Sequence, residues 1–337
     1  VFVEVIIICA LVIMIGWNKG VKEWFEQFEQ PVLKEVDISG INSPNAILMH
    51  ARGGKVLGEI NGDEKIYPAS MTKIMTVILG IENFDDLDEK ITLTDEMFAG
   101  LYEQDATQAG FQPGEEVRVI DLLYGAMLPS GAECCIALAD TISGSEADFA
   151  ELMNKKAAKL GMDNTHFCDS TGLHNPDHYS TVKDIAVLMK YCIKNDTFRE
   201  IIETARHSTG VTNIHPDGIT YYSTMFKNLS DPTVTGGKIL GGKTGYTSKA
   251  GNTLVTYAVK DNRRLVSVIL KGQPRQYFVD GKALLEFGFR SFQNYTIADY
   301  ESRYVTGDET ISLDKGSFRA SDLMIDPDSV VTLPNGA

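Results

Sequence analysis

With 337 residues, of which 43% are hydrophobic, the chain is long enough for one large catalytic domain with additions or for two modest domains. Its formal net charge of −15 argues against a protein that grips nucleic acid or an anionic membrane surface through charge. Nucleic acid is therefore not expected as a partner.

The cysteines point to neither a disulfide framework nor a metal centre. There are five of them, and no two form a C-x-x-C pair. The odd count and the spacing suit neither a set of disulfides nor a zinc site. We therefore predict small buried hydrophobic side chains and expect no metal and no cofactor. The five residues are Cys9, Cys134, Cys135, Cys168 and Cys192.

An apolar run over Val5–Trp17 begins the chain. Its length is short for a membrane span and typical of the core of a signal peptide. No small-x-small cleavage site clearly follows, so a cleaved signal and a retained membrane anchor both stay open over residues 1–22. Either one predicts an exported protein that meets the membrane through its N-terminal segment, followed by a linker over 23–39.

Beyond the linker, strands open the predicted domain and helices fill its middle. Two apolar runs, Ala46–Ala51 and Lys55–Ile60, flank a glycine-containing turn and predict a β-hairpin. A run that is too apolar for a surface helix follows, and it predicts a buried helix with Ser70 in its first turn. Helical periodicity then covers Val119–Leu128, Glu133–Ile142, Glu146–Leu160 and Val182–Lys194.

A second hairpin and a last helix close this domain. The β-rich runs Thr253–Lys260 and Leu265–Lys271 are joined by a two-residue turn, and Tyr277–Phe287 predicts the closing helix. This order of elements indicates an antiparallel sheet with helices packed on it, which is an α+β arrangement. The chain then becomes polar with short alternating runs, which predicts the start of a small β-rich C-terminal module over 293–337.

Ser70 and Lys73 form the first motif that carries chemistry. Residues i and i+3 share a helix face, and a serine hydroxyl needs an adjacent base to become a nucleophile. A neutral lysine amine can take that proton, while the helix N-terminus and the Ser70 N–H stabilise a developing oxyanion. The same S-x-x-K pattern occurs at Ser180–Lys183 and Ser312–Lys315, where we expect a helix start and a turn.

Two further motifs add polar groups to this site. Lys243, Thr244 and Gly245 follow one another in a stretch typical of a strand edge. They offer a cation and a hydroxyl to a substrate carboxylate, and the glycine leaves room for a substrate backbone. Ser130 lies between two apolar helical runs, where it can relay a proton between the lysines and a leaving amine.

The sequence also contains two patterns that could form other sites, a phosphate-binding loop and a zinc site. The segment Gly237–Thr244 also matches the phosphate-binding P-loop, which needs a strand before it and a helix after it. A proline shortly before the segment and a β-rich run after it argue against that interpretation. His174 and His178 are four residues apart, as in some zinc sites, but Pro176 between them argues against a shared helix face.

In chain order, the three motifs resemble those of the penicillin-recognising serine enzymes. The resemblance extends to P-A-S-M-T-K-I-M-T, D-L-L-Y-G-A-M-L-P-S-G, T-G-L-H and G-G-K-T-G-Y-T, and it runs from about residue 40 to 292. These stretches are similar to the low-molecular-mass penicillin-binding proteins, specifically the serine D-alanyl-D-alanine carboxypeptidases. That family implies a transpeptidase/β-lactamase-like fold, with a five-stranded antiparallel sheet against a helical cluster, in a catalytic domain over 40–292.

The resemblance also implies an activity, which is removal of the terminal D-Ala from peptidoglycan stem peptides through an acyl-enzyme on Ser70. It implies inhibition by β-lactams and a location at the outer face of the cytoplasmic membrane or in the cell wall. Lys73 would be the base, Ser130 and Lys243 the proton relay, and the N–H groups of Ser70 and Tyr246 the oxyanion hole. The substrate contacts implied at matching positions are Thr244, Gly245, Tyr246, Thr247 and Arg275.

One residue departs from the family pattern. Ala132 occupies a position where the family usually has Asn, whose amide would hold a substrate carbonyl and orient the lysine. Losing such a hydrogen bond costs about 1–3 kcal/mol, or roughly ten- to hundredfold in rate. Two alternatives therefore stay open, namely a β-lactamase-like hydrolase and a penicillin- or peptidoglycan-binding homologue that is deficient in turnover.

The proposed base has an energetic requirement. For Lys73 to be neutral near pH 7, its pKa must fall from about 10.4 by roughly 3 pH units, which corresponds to about 4 kcal/mol. Burial against the apolar helix and the charge of Lys243 are expected to act in that direction. A pH–rate profile for acylation without a base of lowered pKa would count against this role.

Overall fold

The computed structural model describes residues 38, 40–296, 310–313, 316–319 and 330–334. The signal or anchor predicted over 1–22, Cys9 and almost all of the predicted linker lie outside these residues. Among the helices that are described, none is both long and apolar enough to cross a membrane. Residues Val36–Phe289 form one compact unit, and every predicted site residue belongs to it.

One antiparallel sheet lies at the centre of this unit. Its five long strands are, in spatial order, β2 (Val56–Ile60), β1 (Asn45–His50), β10 (Arg263–Gly272), β9 (Gly251–Lys260) and β8 (Gly237–Thr247). A two-residue strand, β7 (Thr233–Val234), pairs with the start of β8. Both predicted hairpins are present as the pairs β1–β2 and β9–β10, so the predicted sheet is confirmed with a short sixth strand added.

Helices cover both faces of the sheet, in agreement with the predicted α+β class. The described helices of the unit are α1 (Thr72–Asn83), α2 (Val119–Met127), α3 (Ala132–Ser143), α4 (Glu146–Leu160), α5 (Val182–Cys192), α6 (Asp196–Glu203), α7 (Thr224–Asn228) and α8 (Gln276–Ser291). Ile47 and Met49 of β1 belong to the core shared with α1–α6. Leu48, between them, faces α8, where a Cβ on Gly288 would meet its side chain at 2.8 Å. Burial on both faces explains why β1 is apolar throughout.

The predicted buried helix is α1, in which every residue from Thr72 to Gly80 is buried. The prediction that Ser70 lies in its first turn was wrong by a few residues. Ser70 lies in the 3-10 turn Ala69–Met71, and the α-helix begins at Thr72. The reason is local, because Ala69 has a left-handed backbone with φ +50°, and a right-handed helix can begin only after such a residue.

Four short strands escaped the prediction because two or three paired residues leave no periodic pattern. They form the antiparallel pairs β3 (Lys90–Thr92) with β4 (Glu116–Arg118), and β5 (Arg206–Ser208) with β6 (Thr220–Tyr222). Beyond Arg290, the described strands form two further antiparallel pairs. These are β11 (Phe292–Thr296) with β14 (Val330–Pro334), and β12 (Thr310–Leu313) with β13 (Gly316–Arg319). The extent of the C-terminal module over 293–337 stays a prediction.

Of the remaining local predictions, some were confirmed and others were wrong. Ser180 directly precedes the N-cap of α5, as expected for a helix start. Ser312 lies in β12 rather than in a turn, and Lys315 lies outside the described residues. Cys134, Cys135 and Cys192 are buried free thiols, as expected, whereas Cys168 is partly exposed.

Candidate active site

Ser70 is presented by a strained turn at the entrance to α1. Ala69, directly before it, has a backbone conformation that is uncommon for a residue with a Cβ. Such conformations concentrate at functional sites, where the surrounding packing holds them in place. Ala69 and Met71 are buried and fix the turn, while the side chain of Ser70 stays partly exposed.

Lys73 lies on the inner side of Ser70, with its Nζ 3.2 Å from the Ser70 Oγ. The same Nζ donates to the backbone carbonyl of Thr171 at 2.8 Å. Burial lowers the pKa of Lys73, against the opposing charges of Asp169 and Glu133. In its neutral form, the amine gives one N–H to Thr171 and has a lone pair for the Ser70 proton. The predicted effect of burial on this base is thus present.

A short loop, Asp169–Gly172, holds the Thr171 carbonyl in this position. The Asp169 Oδ1 accepts hydrogen bonds from the Thr171 N–H, the Thr171 hydroxyl and the Gly172 N–H. Its Oδ2 lies 3.2 Å from the His178 Nδ1, and the His178 Nε2 pairs with the Thr72 hydroxyl at 2.8 Å. Burial opposes ionisation of Asp169, but these hydrogen bonds and His178 outweigh it and lower the pKa to about 2.

Gly172 allows this loop to pack directly against the nucleophile turn. Its backbone has φ +82°, and a Cβ at this position would lie 1.9 Å from the carbonyl oxygen of Ala69. No side chain fits in that space. The strained turn that carries Ser70 and the loop that holds Lys73 are therefore in direct contact.

Ser130 and Lys243 form a second hydroxyl–amine pair. The Lys243 Nζ donates to the Ser130 Oγ at 3.0 Å and to the Thr244 carbonyl at 2.8 Å. Ser130 also has a left-handed backbone, with φ +75°. Lys243 is only 1% exposed, and burial, followed by the charge of Lys73, lowers its pKa well below the ordinary value. Since the two ammonium groups repel each other, the site disfavours both of them being charged.

Strand β8 brings Lys243 and its neighbours close to Ser70. A Cβ on Gly245 would lie 2.8 Å from the Ser70 backbone nitrogen and 2.6 Å from the Thr253 Oγ1. The sequence explanation for this glycine, room for a substrate backbone, was incomplete, because the glycine also lets the Ser70 turn approach the strand. The Thr244 hydroxyl pairs with that of Thr224 on α7 at 2.7 Å.

The two alternative sites do not form. Gly237–Thr247 is one continuous strand, so the P-loop pattern has neither its loop nor its helix. Both ring nitrogens of His178 have partners within the protein, and His174 packs edge-on against Tyr67. Among the described residues, no cluster of three or more metal-ligating side chains occurs.

A cavity of about 650 Å³ opens over this arrangement. The sequence-predicted residues on its wall are Ser70, Ser130, Thr244, Gly245, Tyr246 and Thr247. Lys73 and Lys243 lie behind this wall, where they are buried. Arg275 is an exposed turn residue with φ +66°, and it is not among the described residues that line the cavity.

Comparison with known proteins gives the family of this chain. A family model described as D-alanyl-D-alanine carboxypeptidase matches residues 32–274. The chain belongs to the D-alanyl-D-alanine carboxypeptidase family. The resemblance seen in the motifs is thereby confirmed.

Two curated members of the family show how much of the chain is shared. The chain is 35% identical over 297 residues to the D-alanyl-D-alanine carboxypeptidase DacC of Escherichia coli (strain K12), covering 80% of this chain and 67% of that protein. It is 33% identical over 256 residues to DacF of Bacillus subtilis (strain 168), covering 75% of this chain and 64% of that protein. The chain thus spans about two thirds of the length of these relatives.

Solved structures of similar enzymes confirm the predicted fold class. The Streptomyces K15 DD-transpeptidase matches with a TM-score of 0.67 at 27% identity, over 74% of this chain and 98% of that one. Penicillin-binding protein 6B of Escherichia coli matches with a TM-score of 0.72 at 26% identity, over 91% of this chain and 88% of that one.

Ala132, which departs from the family pattern, is the first residue of α3 and is buried. Its N–H donates to the Thr107 carbonyl, and the next residue, Glu133, accepts the N–H groups of Ala109 and Gly110 on one oxygen. The other oxygen of Glu133 is buried, with no hydrogen-bond partner among the described residues. Burial raises the pKa of Glu133, against these hydrogen bonds.

Several side chains on the cavity wall were not predicted from the sequence. Apart from Leu173, which belongs to the T-G-L-H stretch, they come from segments without a recognisable motif, and only the fold brings them together. They are Gln104, Thr107, Leu173, Thr224, Asn252 and Tyr277. Gln104 and Asn252 carry amides, and each amide nitrogen donates to a backbone carbonyl, that of Gly100 and Gly272 respectively.

Proposed function

We propose that this protein is a serine D-alanyl-D-alanine carboxypeptidase, which removes the terminal D-Ala of peptidoglycan stem peptides through an acyl-enzyme on Ser70. One observation carries the proposal. The Ser70 Oγ lies 3.2 Å from a buried lysine amine of lowered pKa, and a second buried lysine holds Ser130 beside the same cavity. A nucleophile, its base and a proton donor for the leaving group are therefore within reach of one substrate.

Acylation follows from these positions. Neutral Lys73 takes the proton of Ser70, whose oxygen attacks the carbonyl carbon of the penultimate D-Ala. The oxyanion lies between the backbone N–H groups of Ser70 and Tyr246. As the bond to the terminal D-Ala breaks, Ser130 gives its proton to the leaving amine and is reprotonated through Lys243 and Lys73. Water then attacks the ester carbonyl carbon as Lys73 takes its proton, the bond to the Ser70 oxygen breaks, and Lys73 returns the proton to that oxygen.

The substrate is expected to lie along β8. Within the described residues, β7 pairs only with the start of this strand, and its end over 243–247 has a strand partner on one side alone. An extended peptide can add to such an edge through main-chain hydrogen bonds. Thr244 and Thr247 then face the terminal carboxylate together with the field of Lys243, and Arg275 supplies further charge from the rim.

β-Lactams are the inhibitors expected of this site, since their carbonyl carbon presents the same target to Ser70. The carboxypeptidase is favoured over a β-lactamase-like hydrolase. Among the described residues, no carboxylate is hydrogen-bonded to Ser70 or Lys73, and Asp169 and Glu133 instead accept hydrogen bonds from backbone N–H groups. Fast deacylation by an extra carboxylate base has no support in this geometry.

The proposed place of action is the cell envelope, where peptidoglycan is found. In finer detail, the catalytic domain over 40–292 would face outward from the cytoplasmic membrane, held by the apolar segment over 1–22 and the linker over 23–39. The partial β-rich module over 293–337 would follow it.

The test is incubation with penicillin, measurement of the intact mass, and assay of D-Ala release from a pentapeptide ending in D-Ala-D-Ala. We expect a stoichiometric adduct and free D-Ala, both absent in Ser70→Ala. An unchanged adduct in Ser70→Ala would overturn the assignment of the nucleophile. Adduct formation without D-Ala release would support the turnover-deficient homologue, and rapid turnover of nitrocefin would support the β-lactamase.

A further inference from the structure

A second cavity lies at the opposite end of the central sheet from the active site. Its volume is about 570 Å³, and we call it the distal cavity. Val259, near the end of β9, lines the distal cavity, whereas Asn252, at the start of the same strand, lines the catalytic one. Seven residues of extended strand separate the two, which corresponds to about 23 Å. The two cavities are therefore distinct sites.

The wall of the distal cavity carries a concentration of positive charge. Arg52 from the β1–β2 turn, Arg264 from β10, and Lys190 and Lys194 from the end of α5 line it, with Asp261 as the only acidic residue of the lining. The whole chain has 31 basic and 46 acidic residues. A cavity with four cations and one acid therefore reverses the charge of the protein locally.

None of these four cations is neutralised by the described part of the chain. Their side chains form no ion pair and no hydrogen bond with another described residue, whereas five lysines elsewhere in the described chain are paired with acidic side chains. Clustered like charges without counter-charges repel one another, and an anion bound among them relieves that repulsion.

The positive charge around the distal cavity also affects the pKa of a buried histidine next to it, His50. His50 is 3% exposed, and its Nε2 is buried with no hydrogen-bond partner among the described residues. Burial, followed by the charges of Arg263, Arg52 and Lys55, lowers the pKa of His50 to about 4. The imidazole is thus neutral under physiological conditions and adds no charge that would have to be balanced.

A purely structural role explains only two of the four cations that line the distal cavity. Lys190 and Lys194 flank the C-terminus of α5, where cations interact favourably with the helix dipole. Arg52 belongs to the β1–β2 turn and Arg264 to β10, and neither lies at the C-terminus of a helix. The fold also places the hairpin directly on the helix lysine, because a Cβ on Gly54 would lie 2.5 Å from the Lys190 Nζ.

We propose that the distal cavity binds a multiply charged phosphate group. Two guanidinium groups provide planar pairs of donors that match phosphate oxygens, and two ammonium groups add point charges. The volume accommodates a diphosphate-sized group. A soluble phosphate ester and an anionic phospholipid headgroup share this chemistry, so the experiment has one arm for each source. The proposal does not depend on the catalytic assignment of Ser70.

The first arm is calorimetric titration of the full chain with inorganic pyrophosphate. The site variant is Arg52→Gln/Lys194→Gln/Arg264→Gln. The control variant is Lys65→Gln/Lys90→Gln/Lys159→Gln, which removes the same charge from exposed lysines that do not line the cavity. We expect the dissociation constant to rise about tenfold or more in the site variant, and to change less than about twofold in the control. Acylation of Ser70 by penicillin checks that both variants are folded.

The second arm is cosedimentation with phosphatidylcholine vesicles, with and without phosphatidic acid. Binding that requires phosphatidic acid and is lost only in the site variant supports the proposal with a lipid headgroup as the source. Pyrophosphate binding without vesicle binding supports it with a soluble source. The proposal is overturned if the wild type binds neither probe, or if both variants weaken binding equally, because net charge alone then explains it.

Discussion

Two carboxylates hold the two walls of the catalytic cavity, Asp169 with 22% of its side chain exposed and Glu133 fully buried, and their pKa values are shifted in opposite directions. Asp169 fixes the loop behind Lys73 and uses both of its oxygens for hydrogen bonds. Glu133 fixes the loop that includes Ala109 and Gly110 beside Ser130, but only one of its oxygens has partners. The pKa of Asp169 is lowered to about 2, whereas that of Glu133 is raised.

The difference shows that burial alone does not decide the charge of a group. Burial destabilises the charged form of both carboxylates. Three donors and an imidazole overcome it at Asp169, and two backbone N–H groups do not overcome it at Glu133. The wall next to Ser70 is therefore held by Asp169, which stays ionised at neutral pH. The wall beside Ser130 is held by Glu133, which takes up a proton more readily.

The contact between the Asp169 loop and the nucleophile turn gives the largest expected effect. In Gly172→Ala, the new Cβ has to displace the Ala69 carbonyl, which lies 1.9 Å from its ideal position. Ser70 and the Thr171 carbonyl then move relative to Lys73. A displacement of about 1 Å in a catalytic group costs on the order of a hundredfold in rate, and we expect the rate of acylation by penicillin to fall by that factor.

A matched control separates the contact from the backbone strain. Gly144, at the end of α3, has almost the same φ, +81°, but a Cβ there would meet nothing within 4 Å. Gly144→Ala is expected to lose about 1 kcal/mol of stability and no acylation rate. Equal acylation rates in Gly172→Ala and Gly144→Ala would contradict the role of the Ala69 contact.

Asp169→Asn tests the permanently charged wall. A native pKa of about 2, against 3.8 for the free group, contributes about 2 kcal/mol of stability at neutral pH. Because the native pKa is lowered, this contribution is complete above about pH 4 and is lost as the pH falls toward 2. Urea unfolding should show the variant about 2 kcal/mol less stable at pH 7, with the difference from the wild type vanishing toward pH 2.

The same substitution is also expected to change the pKa of Lys73, the proposed base. The charge of Asp169 raises the pKa of Lys73, so its removal lowers that pKa. With Lys73 as the proposed base, acting in its neutral form, the acidic limb of the acylation profile should move to lower pH. Asp163→Asn, which removes an exposed charge, should leave the profile unchanged. A shift to higher pH in Asp169→Asn would exclude the proposed coupling.

Ala132→Asn tests whether the missing amide limits turnover. Ala132 lies between Ser130 and Glu133 on the second wall, at the start of α3. An Asn amide that holds the substrate carbonyl would add about 1.4 kcal/mol in the transition state, which is about tenfold in kcat/KM for D-Ala release. No gain, with an unchanged melting temperature, would mean that another group, such as the Gln104 or Asn252 amide, already serves this purpose.

The sequence predicted the sheet, most helices and the residues of the two hydroxyl–amine pairs because these predictions rest on local patterns. Periodicity identified the strands of both hairpins, and motif spacing placed Ser70 and Lys73 on one face, where their side chains do lie together. The left-handed backbones of Ala69 and Ser130 could not be predicted, because neither residue type favours that conformation. They follow from tertiary contacts, such as that of Gly172 with the Ala69 carbonyl.

The sequence also failed to predict contacts between residues that are distant in the chain and come together only in the fold. Asp169 and His178 form one unit with Thr72, yet nearly a hundred positions separate Thr72 from Asp169 in the chain, and no motif links them. The charge of the distal cavity could not be predicted from the sequence for the same reason. The net charge of −15 argued against binding to nucleic acid or an anionic membrane surface, but Arg52, Lys190 and Arg264 are brought together only by the fold.

Glu133→Gln gives the smallest expected effect, and its sign is opposite to that of Asp169→Asn. Gln keeps an oxygen for the Ala109 and Gly110 N–H groups and removes the cost of ionisation. Because the native pKa of Glu133 is raised, the wild type loses stability as the pH rises above about 4.5, and the variant lacks this loss. Urea unfolding should therefore show the two within about 1 kcal/mol near pH 5 and the variant gaining on the wild type toward pH 8, with Glu200→Gln as the exposed control. A variant that instead becomes less stable than the wild type as the pH rises would mean that Glu133, like Asp169, stabilises its wall through its charge.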